Sequence, residues 1–296
     1  MKQALLRNTA VLTKELRTRM RGRRAAIVIT VYLLLLAGIG ALMLYIQQGQ
    51  LQYGYSMSSV TAMGTQVFAV LSLLQLFLVV FIVPGLTGSA IAGERDKQTL
   101  DLLLGTQVSS LGIVLGKILS SLSYVFILLM AALPIFSLAF LFGGVSPRQV
   151  GLSFVISLAS ALMLGTIGVF LSVLVRRGQV ATVLAYTVTF LLLIGTAIAS
   201  VFIGTAVRSA NDTAMLLPLV LNPMAALGTT LTGIFPSAVL SLGGPPGSGL
   251  ALWQANLIAD AVLVAVFLFL ATRLLRPGQS RLFRRRQAVA PAEAQT

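Results

Sequence analysis

Cysteine and histidine are both missing from this chain of 296 residues, and charged residues make up only 9% of it. The first two absences remove disulfide scaffolds, Cys/His zinc sites, histidine-ligated haem and every histidine general base. Serine–histidine intramembrane proteases and zinc metalloproteases go with them. The scarcity of charge decides the class. A soluble domain carries roughly 25% charged residues. A chain so poor in them, with 57% apolar residues, cannot cover its own core with polar surface, so lipid must be part of its solvent. We expect neither an enzymatic activity nor a cofactor.

The charge that remains is lopsided, with 21 basic against 7 acidic residues and a formal net charge of +14. The basic residues lie outside the apolar runs and gather at both ends. That arrangement fits anionic lipid headgroups on a cytoplasmic leaflet better than nucleic acid, which we do not expect as a partner. In residues 1–24, Leu5, Thr9, Leu12, Leu16 and Met20 share one helical face, with Arg7, Lys14, Arg17 and Arg21 opposite. The pattern describes a basic amphipathic helix lying in the membrane surface; the alternative is a basic tail without structure.

Six apolar runs follow, at about 25–46, 66–86, 118–142, 150–175, 180–207 and 253–274. About 20 apolar residues suffice to cross the hydrocarbon. The stretch 208–250 is apolar but broken by Pro218, Pro223, Pro236, Pro245 and Pro246, and its pieces Met215–Leu221 and Ala225–Val239 are too short to cross. They read as a re-entrant or interfacial hairpin at 214–242. Charge parity supports six spans: nineteen of the 21 basic residues then fall on one side, leaving only Arg148 and Arg208 opposite. A seventh span would put the Arg-rich tail 276–296 outside, against the positive-inside bias. The expected fold is an all-α integral membrane protein of six transmembrane helices occupying 25–275, multi-pass, in the cell membrane, with both termini cytoplasmic.

Polar residues inside apolar runs can mark a transport path. Asp260 in span six is the only acid deep in such a run, with Asn256 near it and Gln75 inside span two. These three are candidates for a translocation path; the alternative for Asp260 is a hydrogen bond to a neighbouring helix. Gly112–Lys117 imitates a nucleotide-binding loop but fails it. The glycines are one residue too close, Ile118 replaces the magnesium-holding Ser or Thr, and no strand precedes.

Between spans two and three, residues 89–104 leave room for a helix of about four turns ended by Gly105. Glu94 and Lys97, then Lys97 and Asp101, are spaced to pair on a solvated face. Such a helix can dock onto a partner protein or simply rest on the bilayer. The run Ile91-Ala92-Gly93-Glu94-Arg95-Asp96-Lys97-Gln98-Thr99-Leu100-Asp101-Leu102-Leu103-Leu104, followed by Thr106-Gln107-Val108-Ser109 and Gly116-Lys117, resembles the signature of ABC-2 type permeases. In that family an acidic residue precedes Thr-Leu and a leucine pair, then comes a Thr-Pro-hydrophobic-Ser step, and Gly-Lys opens span three. Two positions depart from it: Gln98 stands where Gly is usual, and Gln107 where Pro is usual. Lys14-Glu15-Leu16-Arg17 is similar to the family's elbow helix, and Pro134, Gly143-Gly144 and Leu221-Asn222-Pro223 also fit.

The resemblance implies one half of a dimeric ATP-driven exporter. Two permease subunits, as a homodimer or heterodimer, would pair with two copies of a separate ABC ATPase subunit. Residues 89–104 would be the cytoplasmic coupling helix, with Glu94, Arg95, Thr99, Leu100 and Leu103 meeting the ATPase. The 214–242 hairpin would help close the outer end of the path. An ion-coupled secondary transporter, which needs no ATPase, and a non-transporting scaffold are the competing classes.

Overall fold

Long apolar runs leave the α-helix as the way to satisfy backbone groups inside hydrocarbon, and the computed structural model has, among its described residues, six helices long and apolar enough to cross a membrane. It describes residues 23–51, 57–99, 110–206, 213–231, 241–242 and 249–275. The elbow helix expected within 1–24 falls almost wholly outside these residues, as do the tail 276–296, Leu100 and Leu103.

The first spans are α1 (Arg23–Leu51) and α2 (Met57–Thr87), followed by the short α3 (Ala92–Asp96). Then come α4 (Ser110–Phe142) and α5 (Pro147–Leu174). Span five is composite: α6 (Gly178–Phe190), a π-helical turn (Leu191–Gly195) and α7 (Thr196–Ala206). Next are α8 (Thr213–Leu216), a 3-10 turn (Pro218–Leu221) and α9 (Pro223–Thr230). A two-residue antiparallel pair, β1 (Ser241–Leu242) with β2 (Leu250–Ala251), precedes the last span, α10 (Leu252–Leu275). The helices outrun their apolar windows, since α2 at 31 residues is about 46 Å long and needs only about 30 Å for the hydrocarbon. Local signals set the ends. Ser146 and Gln149 form a reciprocal capping box with Pro147 in the first turn of α5, and Gly143, at φ +79°, turns the chain out of α4.

α2 and α5 form the centre, each with 61% of its apolar window buried, whereas span five and α10 bury 11% and present most of their surface outward. Phe68, Phe136 and Phe154 stack edge to face, at 5.8 and 5.7 Å, tying α2, α4 and α5 together. The described part of the expected hairpin, up to residue 231, is folded into this core: Leu227 of α9 is fully buried within the main apolar cluster, while residues 232–240 lie outside the described residues.

The segment after α2 differs from expectation. Its helix stops at Asp96 rather than near Leu104. Gln98 adopts φ +57°, Thr99 N–H bonds Glu94 O at 2.9 Å and Gln98 N–H bonds Arg95 O at 3.0 Å. Those two bonds are a Schellman ending, in which the left-handed residue is usually glycine. One of the two positions where this chain departs from the permease pattern is therefore one whose backbone favours glycine. A left-handed non-glycine residue costs about 1–2 kcal/mol, so Gln98→Gly is expected to raise the stability of the segment by about 1 kcal/mol. Slower amide exchange at Thr99 measures it; unchanged or faster exchange contradicts it.

Candidate functional site

Two features stand out: a knot of charge at the end that carries α3, and a half-open apolar cavity along span five, where Phe77, Phe81, Phe190, Ile194 and Ile198 are exposed. At the knot, Glu94 Oε1 accepts from Lys117 Nζ at 3.1 Å, and its other oxygen accepts from the Thr99 hydroxyl. Arg95 Nη1 donates to Val173 O at 3.0 Å, and Asp96 Oδ2 accepts from Gly178 N–H at 2.9 Å. The Ser172 hydroxyl accepts from both Ile91 and Ala92 N–H at 2.9 Å. The expected Glu94–Lys97 pairing on a solvated face is therefore replaced by a pair with Lys117 in the second turn of α4. Once the helix stops at Asp96, its charges turn inward to neighbouring chain ends, while Asp96, Lys97 and Gln98 remain the exposed shoulder.

The Thr99 hydroxyl, and after it the charge and hydrogen bond of Lys117, hold the Glu94 carboxyl below its ordinary value of 4.5, against the opposing effect of burial. A carboxyl depressed by folding stabilises above its unfolded value, and that contribution fades as pH falls through the lower folded value. Thermal unfolding is therefore expected to show wild type losing stability below pH about 4.5 more steeply than Glu94→Gln. Parallel profiles would contradict this.

The cavity, about 350 Å³, lies between α2, span five and α9. Phe77 and Phe81, Phe190, Leu193 and Ile194 make its walls, and Tyr186, Thr189 and Asn222 are its polar points. Tyr186 donates to Phe81 O at 3.0 Å, an approach permitted by Gly85, where a Cβ would lie 2.8 Å from the hydroxyl. The π-helical turn is held open by side chains. Thr196 Oγ1 donates to Leu192 O, and Asn222 Nδ2 donates to Leu193 O at 2.9 Å and to Thr196 Oγ1 at 3.0 Å. Asn222 Oδ1 meanwhile accepts from Met224 and Ala225 N–H, capping α9. One buried amide thus joins the register break in span five to the hairpin.

None of Gln75, Asn256 and Asp260 lines this cavity. Asp260 and Asn256, both buried, lie one turn apart on α10. Ser160 of α5 approaches Asp260 at 3.5 Å, and Asn256 donates to Val220 O at 2.8 Å. One oxygen of each, and the amide nitrogen of buried Gln75, find no hydrogen-bond partner among the described residues. The structure places Asp260 in the contact between two helices, the alternative open from sequence. Gly112–Lys117 lies within α4, so the loop that a nucleotide site would need is helix here.

Several functional candidates escape a sequence reading. Ser172, Val173 and Gly178 are separated from α3 by about 80 residues, and serine, valine and glycine in apolar runs carry no signal of their own. Asn222 was visible through its Asn-Pro pair, a helix-start signal, but its bonds to span five were not. Residues 9–286 match the family described as ABC-2 family transporter protein. No curated protein matches the chain.

Proposed function

This chain belongs to the ABC-2 transporter family, a multi-pass membrane component of ABC transporters, and from that premise we propose that it is the permease subunit of an exporter. Two such subunits, identical or not, work with two copies of a separate cytoplasmic ATPase. The end carrying α3, Lys117 and Arg176-Arg177 faces the cytoplasm of a cell membrane, as the positive-inside bias requires. The observation that carries the reading is the α3 segment, which closes its internal bonds on the permease and leaves Asp96, Lys97 and Gln98 exposed. The ATPase meets Lys97 and Gln98 of this shoulder and the Leu100 and Leu103 that follow it, while the Asp96 carboxylate is turned to Gly178. Glu94, Arg95 and Thr99 hold the shoulder in shape rather than reaching across.

The cavity is the substrate's route, and its walls describe the cargo. An apolar lining with a hydroxyl, a phenol and an amide as polar points favours amphiphiles, lipids or hydrophobic compounds over small ions. Span five and α9 form its sides, so the hairpin bounds the outer end of the route.

Because the chain contains no cysteine, a single cysteine at Gln98 or Leu103 gives a clean crosslinking site. Capture of an ATPase subunit, together with ATP-dependent movement of a lipophilic dye in membrane vesicles, is the expected result. No captured ATPase, with movement that follows the proton gradient and survives ATP depletion, would return the reading to an ion-coupled carrier.

A further inference from the structure

We infer that Asp96, assisted by Arg95, is the positioning residue through which the 91–99 segment moves α6 and hence the cavity wall; the inference rests on the proposed contact between that segment and an ATPase. Three helix ends meet at the knot: the start of α3, the end of α5 and the start of α6. Each leaves backbone groups that its own helix cannot satisfy. The three ends satisfy one another. Ser172 of α5 takes the first N–H groups of α3, Arg95 of α3 supplies the late carbonyl of Val173 in α5, and Asp96 takes the first N–H of α6 at Gly178.

The Ser172 and Arg95 bonds fasten α3 to α5, a central helix. Asp96 does something different, because it fastens the same segment to a peripheral one. Its carboxylate meets the positive end of the α6 dipole in a charge-assisted bond, and glycine at 178 leaves room for the carboxylate, which an added Cβ would push aside. A Cβ there would lie 2.9 Å from Asp96 Oδ2 and 3.4 Å from Gly93 N. One turn on, Thr182 packs on Gly88, just past the end of α2, where a Cβ would fall 2.7 Å from the Thr182 Cα. The first turns of α6 are therefore gripped at two points by residues 88–96. From that grip α6 runs without interruption to Tyr186, Thr189 and Phe190 in the cavity wall, and its regular geometry ends at the π-helical turn. A push on the exposed shoulder thus reaches the cavity along one rigid rod. Arg176-Arg177, the turn between α5 and α6, follows passively.

The test uses the transporter assembled with its ATPase. In D96A, ATPase capture and basal ATP hydrolysis are expected to stay within about twofold of wild type. Substrate moved per ATP falls about tenfold, the scale of one lost charge-assisted hydrogen bond. D96N, which keeps an oxygen for the Gly178 N–H, recovers most of that loss, and G178A repeats the D96A pattern. A merely structural role would depress yield, hydrolysis and transport together, so that result overturns the inference. So does loss of ATPase capture in step with transport, or unchanged transport per ATP in D96A. If the wild-type chain captures no ATPase, the proposed function is what fails, and the clamp is then judged on the permease alone. Amide exchange at Gly178 should accelerate about tenfold in D96A but not in D96N; equal protection in all three proteins disproves the clamp.

Discussion

Asn222→Ala is expected to cost about 2 kcal/mol of stability or more, at an average of roughly 0.6 kcal/mol for each hydrogen bond lost within a membrane protein, and to abolish most transport. The single amide makes four contacts, two from its nitrogen to Leu193 O and Thr196 Oγ1 and two to its oxygen from Met224 and Ala225 N–H. Alanine removes all of them at a buried position, leaving Leu193 O only the longer 3.3 Å bond from the Thr196 hydroxyl and α9 without its cap. Among the described residues of the hairpin, no other side chain hydrogen-bonds to the π-helical turn, so span five should relax toward regular α-helix and the cavity should change shape. Asn222→Asp separates the two halves of the effect, because it keeps the acceptor for α9 but exchanges the donor facing Leu193 for an oxygen. Thermal unfolding of the purified protein and dye transport in vesicles measure the outcome. An Asn222→Ala protein with wild-type unfolding and transport would remove Asn222 from the device.

A second large effect is expected from one added methyl group. Gly168 of α5 faces Thr87 at the end of α2, and a Cβ there would stand 2.2 Å from Thr87 Oγ1 and 3.0 Å from Thr87 Cβ. The threonine has little freedom to retreat, since its hydroxyl already donates to Val83 O at 2.8 Å and it is fully buried. Overpacking of this kind costs about 1–3 kcal/mol, and Gly168→Ala should fall at the upper end because the two central helices would have to part. Thr87→Ala in the same protein removes the closest clash and should recover part of the loss, a coupling that a double-mutant cycle reads directly. Gly151→Ala on the same helix is the control: its Cβ meets nothing within 4 Å, so better helix propensity should leave it neutral or up to about 1 kcal/mol more stable. If Gly168→Ala unfolds like Gly151→Ala, the close contact between α2 and α5 is not what the geometry indicates.

The membrane class, the six spans and the location of the charged segment between spans two and three could all be read from the chain itself. Each depends on quantities summed residue by residue: apolar length against the thickness of hydrocarbon, and the balance of Lys and Arg on the two sides. Those sums do not change with what packs beside them. The family resemblance was legible for a related reason, since its pattern is contiguous from Ile91 to Lys117. What lay beyond the sequence was every feature that depends on a partner distant in the chain. Helical spacing alone could extend the segment to Leu104, but a left-handed Gln98 ends it at Asp96. Spacing offered Lys97 to Glu94, but Lys117 lies closer once α4 folds alongside. Asp260 could be singled out because an acid in lipid is costly, but its Ser160 neighbour depends on the packing of α5 against α10. The cavity, the amide of Asn222 and the bond from Asp96 to Gly178 join residues 26 or more positions apart, through serine, glycine and backbone groups that no periodicity distinguishes. Hydropathy states which solvent a segment enters; hydrogen bonds need a specific atom in a specific place, and only the folded bundle supplies it.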